Sequence, residues 1–100
     1  MTGTQSQIEW AEQIKPRVRA EFDRVARAFG ETAANQTEAD RNDTLAVIAI
    51  LKEMREGVLA NPSAGYFIRD WRELNDQVRR MIAGDPRYQA IKAGRTERRA

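Results

Sequence analysis

Cysteine and histidine are both missing from this chain, and the two absences exclude a good deal of chemistry at once. Without cysteine there is no disulfide framework, thiol nucleophile or thiolate metal site. Without histidine there is no imidazole general base and no imidazole metal ligand. A glycine-rich phosphate loop and a serine nucleophile motif are missing too. We therefore expect no enzyme, no metal and no cofactor. The longest apolar run, LAVIAIL at 45–51, falls far short of the roughly 20 residues that cross a bilayer. No charged-then-apolar leader opens the chain, so a cytoplasmic protein with no membrane partner is expected.

What is present is a helical, charged composition. The 100 residues are 41% hydrophobic and 32% charged, enough apolar content for one modest core and too little chain for two. A single domain over 1–100 follows. The formal charge is only +2, yet residues 79–100 hold Arg79, Arg80, Arg87, Lys92, Arg95, Arg98 and Arg99 against Asp85 and Glu97. The remainder is correspondingly acidic.

Helix signals run the length of the chain. Thr4 and Gln7 have the T-x-x-Q spacing of a capping box. From there Ile8, Ala11, Ile14, Val18, Phe22, Val25 and Phe29 step by three or four, one stripe of an amphipathic helix over about 4–29. Pro16 lies inside it, and because the stripe stays in phase we expect one kinked helix, with a break into two as the weaker alternative. Residues 30–37 read as a connector, and Thr37 or Asn42 caps a second helix over about 38–60. Its seam is Leu45, Ile48, Leu51, Met54 and Val58; Val47, Ile50 and Leu59 make it apolar nearly all round, the profile of a central helix. A buried strand at 44–51 is the structural competitor.

Pro62 breaks the chain and Ser63 can cap a third helix over about 63–83, with Phe67, Trp71, Leu74, Val78 and Met81 near heptad spacing. Asp85-Pro86 opens a short fourth helix over about 86–94, and 95–100 reads as a frayed basic tail. The expected fold is all-α: an antiparallel bundle of three longer helices and one short one, helix two in its middle.

Of the carboxylates, Asp70, Glu73, Asp76, Glu53 and Glu56 cluster best, but each of the groups around Glu73, Asp76 and Glu56 has a basic neighbour at helical spacing. Arg69, Arg72 with Arg80, and Lys52 respectively would make a solvated, ion-paired face. Trp10 and Tyr66 stand off their seams and become anchors for a partner if exposed. The basic C-terminus, with Arg87, Lys92, Arg95, Arg98 and Arg99, is the alternative site, for nucleic-acid phosphates. The near-heptad seam of helix three offers a third reading, a structural homodimer.

Residues 3–14, GTQSQIEWAEQI, resemble the opening G-[ST]-x-K-Q-[IV]-x-W-A-x-x-I of small helical proteins from bacteria, phages and other mobile elements. Those proteins carry a later A-x-x-x-I-D-N-R segment, which AGYFIRDW at 64–71 resembles through Ala64, Tyr66-Phe67 and Ile68. Ser6 stands where the pattern has lysine, and Arg69-Asp70-Trp71 where it has Asp-Asn-Arg. The group includes an anti-CRISPR inhibitor of a type I system. The resemblance implies a mobile-element protein that binds a protein partner, in its sharpest form a subunit of a Cas effector complex. Its contact residues would be Trp10, Tyr66, Arg69, Asp70 and Arg72.

Overall fold

Helix α1 (Gln5–Ala34) begins on a complete capping box. The Gln7 amide donates to Thr4 Oγ1 at 3.2 Å, and the Thr4 amide donates to Gln7 Oε1 at 2.9 Å, satisfying two of the orphan donors of the first turn. The computed structural model describes residues 1–99. Ala11, Ile14, Val18, Phe22 and Val25 are all buried on one face, so the stripe read from the sequence is the face turned to the core. Pro16 sits inside a single helix rather than ending one. Pro16→Ala restores an N–H for the Glu12 carbonyl and is expected to raise the unfolding free energy by about 1–3 kcal/mol. A higher urea midpoint at unchanged slope would show it; a lower midpoint would mean that the core depends on proline at this position.

The expected connector at 30–37 is mostly helix. α1 runs past Gly30 to Ala34, because Ala33 is buried in turn. Its end is also tied from outside: the Arg41 guanidinium donates to Ala33 O in its last turn and to Gln36 O in the link beyond, each at 3.1 Å. After a three-residue link, α2 (Glu38–Leu59) starts at Thr37, whose hydroxyl accepts from the Asp40 amide. α2 turns back along α1, as the Arg41–Ala33 and Arg55–Asp23 contacts require of an antiparallel pair.

The third expected helix is two. α3 (Ala64–Asp70) is capped by Ser63, and its final bond is Trp71 N to Phe67 O at 2.9 Å. Asn75 and Asp76 then adopt left-handed backbone, φ 42 and 60, before α4 (Gln77–Gly84) resumes. Asn and Asp are the non-glycine residues that tolerate this region best. The apolar positions survive the break: Phe67, Trp71, Val78 and Ile82 are buried and Leu74 and Met81 half-buried. The short turn re-aims the chain without moving its seam out of the core.

α5 (Pro86–Arg99) also departs from expectation, continuing through Gly94 to Arg99. The tail expected to fray at 95–100 is thus helical as far as Arg99, and Ala100 lies outside the described residues.

The fold is all-helical, with five helices in place of three long and one short. The only β-type pairing among the described residues is a bridge between Thr2 and Ser63. α1 packs against α2, α3 and α4; α2, expected in the middle, packs against α1, α4 and α5. Its buried face is accordingly Thr44, Val47, Ile50, Leu51 and Val58, leaving Leu45 half in solvent. The molecule measures 55 × 23 × 20 Å, the long axis following from a 30-residue α1 about 45 Å long. No helix among the described residues is long and apolar enough to cross a membrane.

Candidate partner-binding surface

Trp10 is 43% exposed, and the Arg72 guanidinium lies over its ring at 5.8 Å from the centroid. Two candidates chosen from opposite ends of the sequence are thereby brought together. The reason is local on both sides. Trp10 is one residue off the buried Ala11, at the edge of the α1 stripe, and Arg72 is in the non-helical link after α3, free of helical constraint. A cation held on the face of an indole contributes about 0.5–1 kcal/mol at an exposed site. Arg17, two turns beyond Trp10 on the same face of α1, is exposed and has no carboxylate within 4.0 Å among the described residues.

Arg69 and Asp70 pair with each other at 3.3 Å, both in solvent, with Arg69 71% exposed. Tyr66 is different. It is half-buried, its ring lies edge-on to Phe67 with centroids 5.2 Å apart, and its hydroxyl accepts from Trp71 Nε1 at 2.9 Å. Its polar tip is committed to the buried Trp71, so Tyr66 braces the core rather than standing free as an anchor. Of the five expected contact residues, Trp10 and Arg72 form one feature, Arg69 and Asp70 a second, and Tyr66 is half-buried against the core.

The alternative basic site looks very different folded. Arg98 donates to Asp40 at 2.9 Å and Asp43 at 2.7 Å, and Arg99 donates to Asp40 at 2.9 Å. Arg95 Nη2 donates to Asp40 O at 3.0 Å and to Thr44 Oγ1 at 3.3 Å. Arg87 is shared between Asp85, at 3.0 Å, and Glu53, at 2.6 Å. The Arg98 and Arg99 side chains hold the Asp40 carboxyl below the usual 3.8, and Arg98 does the same to Asp43. Arg87 likewise lowers Asp85. Lys92 lies over the Tyr88 ring at 5.7 Å. Four of the five proposed phosphate ligands are therefore already neutralised by carboxylates of the same chain. Nothing in the sequence signals this, because Asp40 and Arg98 are 58 residues apart.

The expected charge pairs along helix three also change. Asp76 meets Arg24 of α1 at 3.8 Å and Arg79 at 3.7 Å, not Arg72 or Arg80, because the chain is not helical from 71 to 76. Among the described residues no three carboxylates group as a metal site would. The near-heptad seam proposed for a homodimer is filled within one chain, with Phe67 0% and Trp71 1% exposed.

A further relation connects the two segments that carry the family resemblance. The Thr2 amide donates to Pro62 O at 2.6 Å and the Ala64 amide donates to Thr2 O at 2.9 Å. Gly3 lies directly against Ala64, so the residues before α1 and the start of α3 form one clasp, while Trp10 meets Arg72 beyond the far end of α3. Compared with protein-family models, with curated proteins and with solved structures, the chain matches none.

Proposed function

We propose that this protein is a non-catalytic binding module that acts by stoichiometric contact with a protein partner, through the face built around Trp10 and Arg72. The observation that carries this reading is the exposed Trp10 with a guanidinium stacked on it. Tryptophan and arginine dominate the energetics of protein interfaces, and here they stand together where α1 faces the link that follows α3. The Arg69–Asp70 pair closes α3 just before that link and serves as polar rim. By its resemblance to mobile-element proteins, the protein's sharpest role is that of an anti-CRISPR inhibitor that occupies a site on a type I Cas complex. The nucleic-acid reading has less support, since its arginines are spent on Asp40, Asp43, Asp85 and Glu53.

Co-expression with a type I effector complex is the test. The protein should co-purify with the complex and restore plaque formation, and Trp10→Ala should weaken the measured affinity by about 30-fold or more. Arg72→Ala should weaken it less. Unaltered interference would remove the anti-CRISPR role. A Trp10→Ala protein that retains full affinity for its partner would remove this face.

A further inference from the structure

None of the fourteen residues of α5 is buried. Its apolar hold on the molecule is Tyr88 and Ile91, both only partly covered. Open grooves of about 380 and 290 Å³ lie on either side of Tyr88, the first walled by Val25, Phe29 and Ile82, the second by Phe29, Val47 and Ile91. Gly94 weakens the helix from within. A single residue, Asp85, separates α5 from the end of α4 at Gly84.

What attaches α5 is charge. Arg87 reaches Glu53 near its first turn, and Arg98 and Arg99 reach Asp40 and Asp43 at its last. Those arginine side chains are 49%, 43% and 66% exposed. Arg95 adds a more sheltered hold: its Nε is 3.6 Å from Asp40 and 3.5 Å from Asp43, and its Nη2 donates to Asp40 O at 3.0 Å and to Thr44 Oγ1 at 3.3 Å. Exposed ion pairs contribute little individually and are screened by salt, whereas apolar burial between α1, α2, α3 and α4 is not.

We infer that α5 is a strap, latched onto α2 by Asp40 and Asp43, that swings away about the Gly84–Asp85 junction when those ion pairs are screened or displaced. Undocking uncovers Phe29 and Val47 and frees Arg95, Arg98 and Arg99 together. The C-terminal arginines are thus a masked surface, and the latch is what masks them. The strap is independent of the Trp10 face and stands whether or not that face binds a partner.

Hydrogen exchange of the full-length protein tests it directly. Between about 50 mM and about 1 M sodium chloride, amide protection in 86–99 should fall at least tenfold, with protection in 11–25 and 44–58 unchanged. The D40N/D43N double variant should show the open pattern at low salt. The R98Q/R99Q variant, which breaks the same contact from the other side, should match it. Protection of 86–99 that is indifferent to salt and to both variants would overturn the strap. So would loss of protection in 86–99 only together with 11–25, since α5 would then be part of the cooperative core.

Discussion

Trp71→Ala should cost about 3–5 kcal/mol of stability, and for a chain of this size that is a large share of a total on the order of 5–15 kcal/mol. Trp71 is 1% exposed although it lies at the end of α3 and not within a helix. Its ring packs on Phe22 of α1 at 5.8 Å between centroids, tilted by 44°. Its indole N–H is satisfied by Tyr66, so no polar group is stranded in the core. Truncation removes the largest buried side chain at the point where the chain turns from α3 toward α4, leaving Phe67, Val78 and Ile82 to hold the two short helices in the core. Far-UV circular dichroism during urea unfolding measures the loss, and the midpoint should drop without a change in slope.

Two companions make the result specific. Trp71→Phe keeps one aromatic ring but removes the donor to the Tyr66 hydroxyl and some buried volume; about 1–2 kcal/mol is expected. Phe22→Ala should cost about as much as Trp71→Ala, and the double variant should cost less than the two singles together, by about 0.5–1.5 kcal/mol of aromatic coupling. Full additivity would mean that the two rings are not energetically in contact.

Trp71 also shows where the sequence could and could not be read. Its burial was legible, because positions 67, 71, 74, 78 and 81 repeat at helical spacing. The break beside it was not, since a non-helical link of six residues returned the apolar positions to phase. The Asn75-Asp76 pair was the local signal, and periodicity outweighed it. The cap at Thr4 and the stop at Pro62 are legible in the sequence, and the start of α2 is legible as Thr37 or Asn42, of which Thr37 is the cap, because each depends on side chains within a few residues of the backbone they serve. The place of α2 was legible only in part, for the opposite reason. Its apolar middle showed that it packs on more than one side, but not that the neighbours are α1, α4 and α5, because packing partners are set across the whole chain. The candidate surface divides the same way: Trp10 off its stripe could be seen, but Arg72 on its ring, Tyr66 under Trp71 and the arginines on Asp40 are encounters across 5 to 62 residues of chain.

Gly3→Ala should destabilise the protein by about 2–3 kcal/mol, more than an exposed residue beside a terminus would normally cost. Gly3 has φ +134, where an L side chain is strained wherever it points. A Cβ there would also lie 3.0 Å from Gln7 Oε1 and 3.1 Å from Ala64 Cβ. The first contact threatens the capping box, since that oxygen accepts from the Thr4 amide; the second presses on the start of α3, which the Thr2 backbone holds from the other side. Thr4→Ala, which removes the cap alone, should cost only about 1 kcal/mol. Adding Ala64→Gly to Gly3→Ala separates the two causes. If the clash dominates, the double variant regains part of the loss; if backbone strain dominates, the costs add, because Ala64→Gly leaves φ at residue 3 untouched. A partial regain would place the role of Gly3 in the join between α1 and α3; additive costs would place it in the backbone of residue 3 itself. Loss of partner affinity in Gly3→Ala beyond the fraction unfolded would then show that the clasp positions the binding face as well as holding the fold.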